Sequence, residues 1–152
     1  MLSIKPDAAE IIWTLILAAV TLVVTCFPLR IPGLYGYEPD ILYHMNRIEG
    51  VKQALLDHSY PAAIYTNFFD GLGYGSPLFY PDLLLVIPAF FRILGMSVTA
   101  AYKVTVALFS VLIALITKYS LKLFCGRWEL AVAGSALFSM SQFVLADIIV
   151  TY

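Results

Sequence analysis

Seventeen consecutive residues, Ile11 to Phe27, carry no charge. A helix needs ~17–25 apolar residues to cross the ~30 Å hydrocarbon layer of a bilayer, so this run reaches the lower limit for a span. Three further apolar segments follow. Leu78–Leu94 is interrupted by Pro81 and Pro88 and closed by Arg92. Thr99–Phe124 has an uncharged centre, Val104–Thr117, between Lys103 and Lys118. Leu130–Tyr152 carries Asp147 near its end. Proline is tolerated in a membrane helix where neighbouring helices satisfy the freed backbone, and lysines near span ends can extend their ammoniums to the interface. The composition agrees. Of 152 residues, 61% are hydrophobic and 12% charged, against about 25% charged in soluble domains. A water-soluble domain of this size has too much surface to cover with so few charges.

The expected fold class is therefore an all-α integral membrane protein. Four transmembrane helices are expected at about 11–29, 78–94, 99–124 and 130–152, in a single membrane domain over 1–152, with a long first loop at 30–77. Met1–Glu10 holds one Lys, one Asp and one Glu, and Cys26–Arg30 offers no small-x-small cleavage site, so the first span reads as uncleaved. The fourth segment meets no polar tail, which reads as the N-terminal part of a longer polypeptide. Nine Lys+Arg against ten Asp+Glu leave a net charge of −1, without the basic footprint that nucleic-acid binding needs. Cys26 and Cys125 lie too far apart for metal-ligand spacing and read as small apolar residues at span ends.

Charge does not settle the orientation of four alternating spans. With the N-terminus inside, Lys5, Arg92 and Lys103 fall on the cytoplasmic side. Arg30, Arg47, Lys52, Lys118, Lys122 and Arg127 fall outside. The positive-inside rule prefers the reverse.

Six of the ten acids and both histidines lie in or beside the first loop, so any polar site belongs there. Glu38-Pro39-Asp40 reads as a helix start: proline suits the first turn, and acids there complement the positive end of the helix dipole. At 100° per residue, Ile41, Met45, Ile48 and Leu55 share one stripe. Asp40, His44, Arg47 and Val51 share its neighbour. The helix is expected to end near Asp57-His58, ahead of Tyr60-Pro61. It could lie flat in the membrane interface, with its Asp/His/Arg stripe edging a water-filled cavity.

Asp40 has two readings. It is a helix-start acid with His44 and Arg47 as local partners, or a carboxylate at the membrane–water boundary. In the second role it takes a proton from an attacking hydroxyl or holds a divalent cation (Mg or Mn) with Glu38. The stretch Asn67–Pro81 places Gly71, Gly73 and Gly75 at alternate positions, then Ser76-Pro77 as a helix start. Glycine permits close backbone approach, and free N–H groups at a helix start attract anions. The same stretch also reads as a tight entry turn, with Tyr74, Phe79 and Tyr80 as an interfacial aromatic belt. No Lys-Ser/Thr follows the glycines, so it is not a Walker motif. Asp147 is either an intramembrane functional acid or an interfacial residue.

The run Gly36-Tyr37-Glu38-Pro39-Asp40-Ile41-Leu42-Tyr43-His44-Met45-Asn46-Arg47-Ile48-Glu49-Gly50 resembles the first loop of a bacterial multipass family, the 6-pyruvoyl-tetrahydropterin-synthase-related membrane proteins. Tyr65–Pro81 resembles the same family's entry to its second span, and Ala101-Tyr102-Lys103 and the segment around Asp147 extend the likeness. Two histidines cannot build the zinc site of a soluble pterin synthase. In architecture the family is similar to GT-C glycosyltransferases, which use polyprenyl-phosphate-linked sugars.

The resemblance implies a partial GT-C-like module in the bacterial inner membrane and a role in the cell envelope. Its first loop would be outside and its N-terminus inside. Asp40 would match the catalytic or metal-site acid, with Glu38 as the looser partner. The family's Gly-His-Asp reads Tyr37-Glu38-Pro39-Asp40 here, which keeps the acid. The implied activity moves a sugar from a polyprenyl-phosphate carrier to an extracytoplasmic acceptor. Substrate would be bound by Tyr43, His44 and Arg47 and by Gly73, Tyr74 and Gly75, with Arg47 and the N–H groups of Gly73–Gly75 facing the lipid phosphate. The expected partners are the bilayer and a lipid-linked sugar, and the fragment alone is expected to be inactive. The rival is a non-catalytic transporter or assembly subunit. Transporters usually place ionisable sites near the bilayer midplane, whereas these span centres are nearly charge-free.

Overall fold

A computed structural model describes residues 6–26 and 39–141. Among the described residues the chain is helical, with one isolated antiparallel bridge between Tyr65 and Tyr74 and no strand ladder. It divides into two compact units, Met1–Pro32 with Val106–Tyr152, and Gly33–Thr105.

The first unit holds α1 (Ala8–Cys26), the larger part of α4 (Val98–Cys125) and α5 (Trp128–Ser139). The Asp7 carboxylate starts α1 by accepting the Glu10 N–H at 2.7 Å, a side-chain cap on a helix end with no partner of its own. At 1.5 Å per residue, the 19 residues of α1 reach ~28 Å and the 28 residues of α4 reach ~42 Å. Both are long and apolar enough to cross a membrane.

Their surfaces are sorted in the opposite sense to a water-soluble bundle. On α1 the buried residues are Glu10, Leu17, Thr21 and Thr25, while Ile12, Leu15, Ile16, Leu22 and Val23 are exposed. On α4, Ala107, Ala114 and Lys118 are buried and Leu112, Ile113, Ile116 and Phe124 exposed. On α5, Ala131, Ser135 and Ser139 form a small-residue face at four-residue spacing, with Leu130 and Leu137 outward. Small inward residues let helix backbones approach closely. Ser135 Oγ uses that closeness to donate to the Ala114 carbonyl at 2.7 Å.

The start of α1 lies against the last two turns of α4. Glu10 accepts Lys118 and Lys122 there, so the two helices run in opposite senses. Four alternating spans would make these two, the expected first and third, run in the same sense. The segment 78–94 is not one continuous helix. It folds as 3₁₀ turns at Ser76–Leu78 and Leu83–Leu85 and then α3 (Val86–Ile93). Leu83–Ile93 reaches only ~18 Å. Pro77, Pro81 and Pro88 withhold the N–H groups a longer helix would need. Among the described residues the expected fourth span is helical over Trp128–Ser139; Asp147 and the rest of 142–152 lie outside them.

The second unit holds α2 (Pro39–Leu56), the turns, α3 and the first residues of α4. The α2 helix begins at the proline and stops one residue before Asp57-His58. It packs on α3. Its apolar stripe supplies the core through Ile41, Met45 and Ile48, with Val51 and Ala54 beside them. Beside this core, Glu49 pairs with Arg92 of α3 and with Lys52. Burial alone would raise the Glu49 carboxyl, but the bonds and charges of Arg92 and Lys52 outweigh it and hold the carboxyl below its usual range.

Gly50 lets the buried Tyr65 ring lie directly on the α2 backbone. A Cβ at this position would stand 2.5 Å from Tyr65 Cγ. Gly50→Ala is therefore expected to destabilise the protein by ~1–3 kcal/mol through overpacking, although alanine is the better helix former. Equilibrium unfolding of the purified protein in detergent reads this, and a stabilised variant would contradict the packing.

Candidate functional site

The α2 helix presents Tyr43, His44 and Arg47 on one side, toward the segment Tyr65–Asp82. That segment is closed by paired Tyr65 and Tyr74 backbone bonds of 3.0 Å. Between them the chain turns through three consecutive left-handed residues, Phe69 (φ 52°), Asp70 (φ 54°) and Gly71 (φ 95°). Gly73 follows at φ 83°, with Ile64 Cγ2 2.8 Å from where a Cβ would stand, so only glycine fits there without strain. The turn brings Tyr74 back over Phe68 and Tyr43, with ring centroids 5.6 and 6.2 Å away.

Arg47 is the hub. It is 3% exposed. Its Nη2 donates to Asp82 Oδ1 at 2.5 Å, to the Pro81 carbonyl at 3.0 Å and to the Tyr80 carbonyl at 3.2 Å. Its guanidinium lies 5.6 Å from the Tyr43 ring centre and 5.3 Å from that of Tyr80, within cation–π range of both. The second Asp82 oxygen accepts the Tyr65 hydroxyl at 2.5 Å. Burial, reinforced by that bond and by the Asp82 charge, pushes the Tyr65 hydroxyl well above its ordinary value, so it remains a donor. A buried guanidinium needs such partners, because an unpaired charge in this setting is very costly.

Above this latch lies a half-buried rim. Tyr43 Oη and Ser76 Oγ share a hydrogen bond of 2.9 Å. The Tyr43 ring contacts those of His44, Phe68, Tyr74 and Tyr80 at 5.5–6.2 Å. His44 Nδ1 is 3.5 Å from Arg47 Nη1.

Of the residues singled out in the sequence, the structure brings Tyr43, His44, Arg47 and Tyr74 into one cluster. Arg47 differs from expectation: its charge is occupied by Asp82 and two carbonyls rather than presented to a phosphate. The N–H groups of Gly73 and Tyr74 are likewise occupied, by the Phe68 and Tyr65 carbonyls at 3.1 and 3.0 Å. Gly75 sits beside them, its own carbonyl accepting the Leu78 N–H. Asp40 stands in the first turn of α2, one turn before Tyr43 and His44; its side chain and all of Glu38 lie outside the described residues. Among the described residues, no three His, Cys, Asp or Glu side chains gather as a metal site.

Asp82 and Tyr65 were not singled out by sequence reasoning. The available signal was a charge imbalance: Arg47 on a helix whose neighbouring stripe is apolar needs a counter-ion, and Asp82 heads the next apolar run. Compared with known protein families, curated proteins and solved structures, the chain matches none.

Proposed function

We propose that the chain is the N-terminal part of a multipass bacterial inner-membrane protein of GT-C-like glycosyltransferase type. It would move a sugar from a polyprenyl-phosphate carrier to an acceptor outside the cytoplasm. The observation that carries this reading is the rim of Tyr43, His44 and Tyr74, placed one helical turn after Asp40. Aromatic faces with hydroxyl and imidazole tips can stack on a sugar ring and bond its hydroxyls, as specific pockets generally combine apolar walls with few polar groups. Asp40 is the base that deprotonates the acceptor, or holds a divalent cation near the donor phosphate with Glu38. Arg47 is a positioning residue here, fixing Tyr43 and Tyr80 through its pairing with Asp82.

The membrane part of the reading rests on the outward apolar surfaces of α1 and α4.

The test is Asp40→Asn in the full-length protein, with transfer from a labelled polyprenyl-phosphate sugar as readout. Loss of a general base is expected to cost at least ~10²-fold in turnover with an unchanged unfolding midpoint. Undiminished turnover in a folded variant overturns the assignment. The second reading, a non-catalytic membrane subunit, is favoured by one observation: Arg47 and the Gly73 and Tyr74 N–H groups are all engaged within the chain, as in a structural latch.

A further inference from the structure

The unit that contains α1 has a charged cluster unconnected with the site above. Glu10, 3% exposed, accepts two ammoniums. Lys122 Nζ stands 2.9 and 2.7 Å from its two oxygens, and Lys118 Nζ bonds Oε1. One carboxylate facing two lysines leaves a local charge of +1. An ammonium has three protons to donate. The bonds to Glu10 use one from Lys118 and two from Lys122, so three remain for another acceptor.

A cavity of about 290 Å³ opens on this cluster. Its charged wall is Glu10, Lys118 and Lys122, and its apolar wall includes Ile11 and Leu15. Ile11 and Leu15 are four residues apart on one ridge of α1, and Leu15 is 65% exposed. The cavity is thus cationic at one end and continuous with an exposed apolar ridge at the other.

We propose that this cavity holds the headgroup of an anionic phospholipid, with its phosphate on Lys118 and Lys122 and its acyl chain along Ile11 and Leu15. The proposal rests on α1 and α4 being membrane spans. Charge complementarity selects the ligand. A phosphodiester brings −1 to a cluster of +1, whereas a zwitterionic lipid adds its own cation beside two lysines. The apolar ridge selects a lipid over a free anion, which would leave that ridge uncovered. Glu10 positions the two ammoniums and limits their joint charge to what one phosphate neutralises.

The experiment uses the full-length protein in bilayers of mixed phosphatidylcholine and phosphatidylglycerol. Native mass spectrometry reads the lipid retained. The protein is expected to retain phosphatidylglycerol in about fivefold preference, the factor that ~1 kcal/mol from one membrane-proximal cation gives. Lys122→Gln, which keeps the Lys118–Glu10 pair, is expected to lose that preference, and Lys122→Arg to keep it. Glycerol phosphate added in solution is expected not to displace the lipid. Equal retention of both lipids, an unchanged preference in Lys122→Gln, or displacement by glycerol phosphate overturns the proposal. Alkaline carbonate extraction separates the underlying premise: release of the protein from membranes overturns the span reading itself, whereas a retained protein without lipid preference overturns only the lipid site.

Discussion

Asp82→Asn is expected to destabilise the protein by ~3–5 kcal/mol, the cost of leaving one member of a buried ion pair without its counter-charge. The side chains of Arg47 and Asp82 are 4% and 7% exposed, so water cannot replace the lost carboxylate. Asparagine keeps the shape and one acceptor but removes the charge that balances the guanidinium and receives the Tyr65 hydroxyl. Arg47→Met alone is expected to be similarly damaging, because it leaves the Asp82 carboxylate buried with only Tyr65. The double variant Arg47→Met/Asp82→Leu is expected to recover most of the loss, since no charge is then left buried and apolar groups fill the space. A double-mutant cycle on equilibrium unfolding in detergent isolates the coupling. A loss below ~1 kcal/mol for Asp82→Asn would place the pair in a solvated, screened setting and contradict the burial.

Cys26 and Cys125 are expected to react from opposite sides of the membrane. The first ends α1 and the second ends α4, and these helices run in opposite senses because Glu10 meets Lys118 and Lys122. With the N-terminus inside, as the proposed function has it, an impermeant maleimide applied to intact cells is expected to modify Cys26 and spare the exposed Cys125; inverted vesicles reverse the pattern. Cys26→Ser and Cys125→Ser identify each signal. The effect is all-or-none. Labelling of both cysteines from one side would restore the alternation in which 78–94 crosses the membrane.

Much of the helical layout was legible in the sequence. The uncharged run Ile11–Phe27 lies almost wholly within α1, and the segment between Lys103 and Lys118 lies inside α4. For α2, the proline-and-acid start and the period of Ile41, Met45 and Ile48 locate the helix and its buried face. These signals are local, and local periodicity reports which face is apolar. What it does not carry is pairing across long separations. Glu10 and Lys118 are 108 residues apart, and Arg47 and Asp82 are 35 apart. The segment 78–94 has the apolar content of a span, but Pro81 and Pro88, with Pro77 just ahead of them, and the pairing of Arg92 with Glu49 shape it into turns and a short helix.

The small-residue face of α5 has a consequence for how this chain can change over generations. Where apolar side chains point outward, leucine, isoleucine, valine and phenylalanine are nearly interchangeable, since bulk there meets nothing fixed. Ala131, Ser135 and Ser139 are buried, and a larger residue there strains the packing. Sequence drift is therefore channelled. The oily exterior is a loose alphabet of four or five letters, and the buried face of α5 is a narrow one of alanine and serine. Two descendants of this chain could differ at most outward positions and still present the same inner surface.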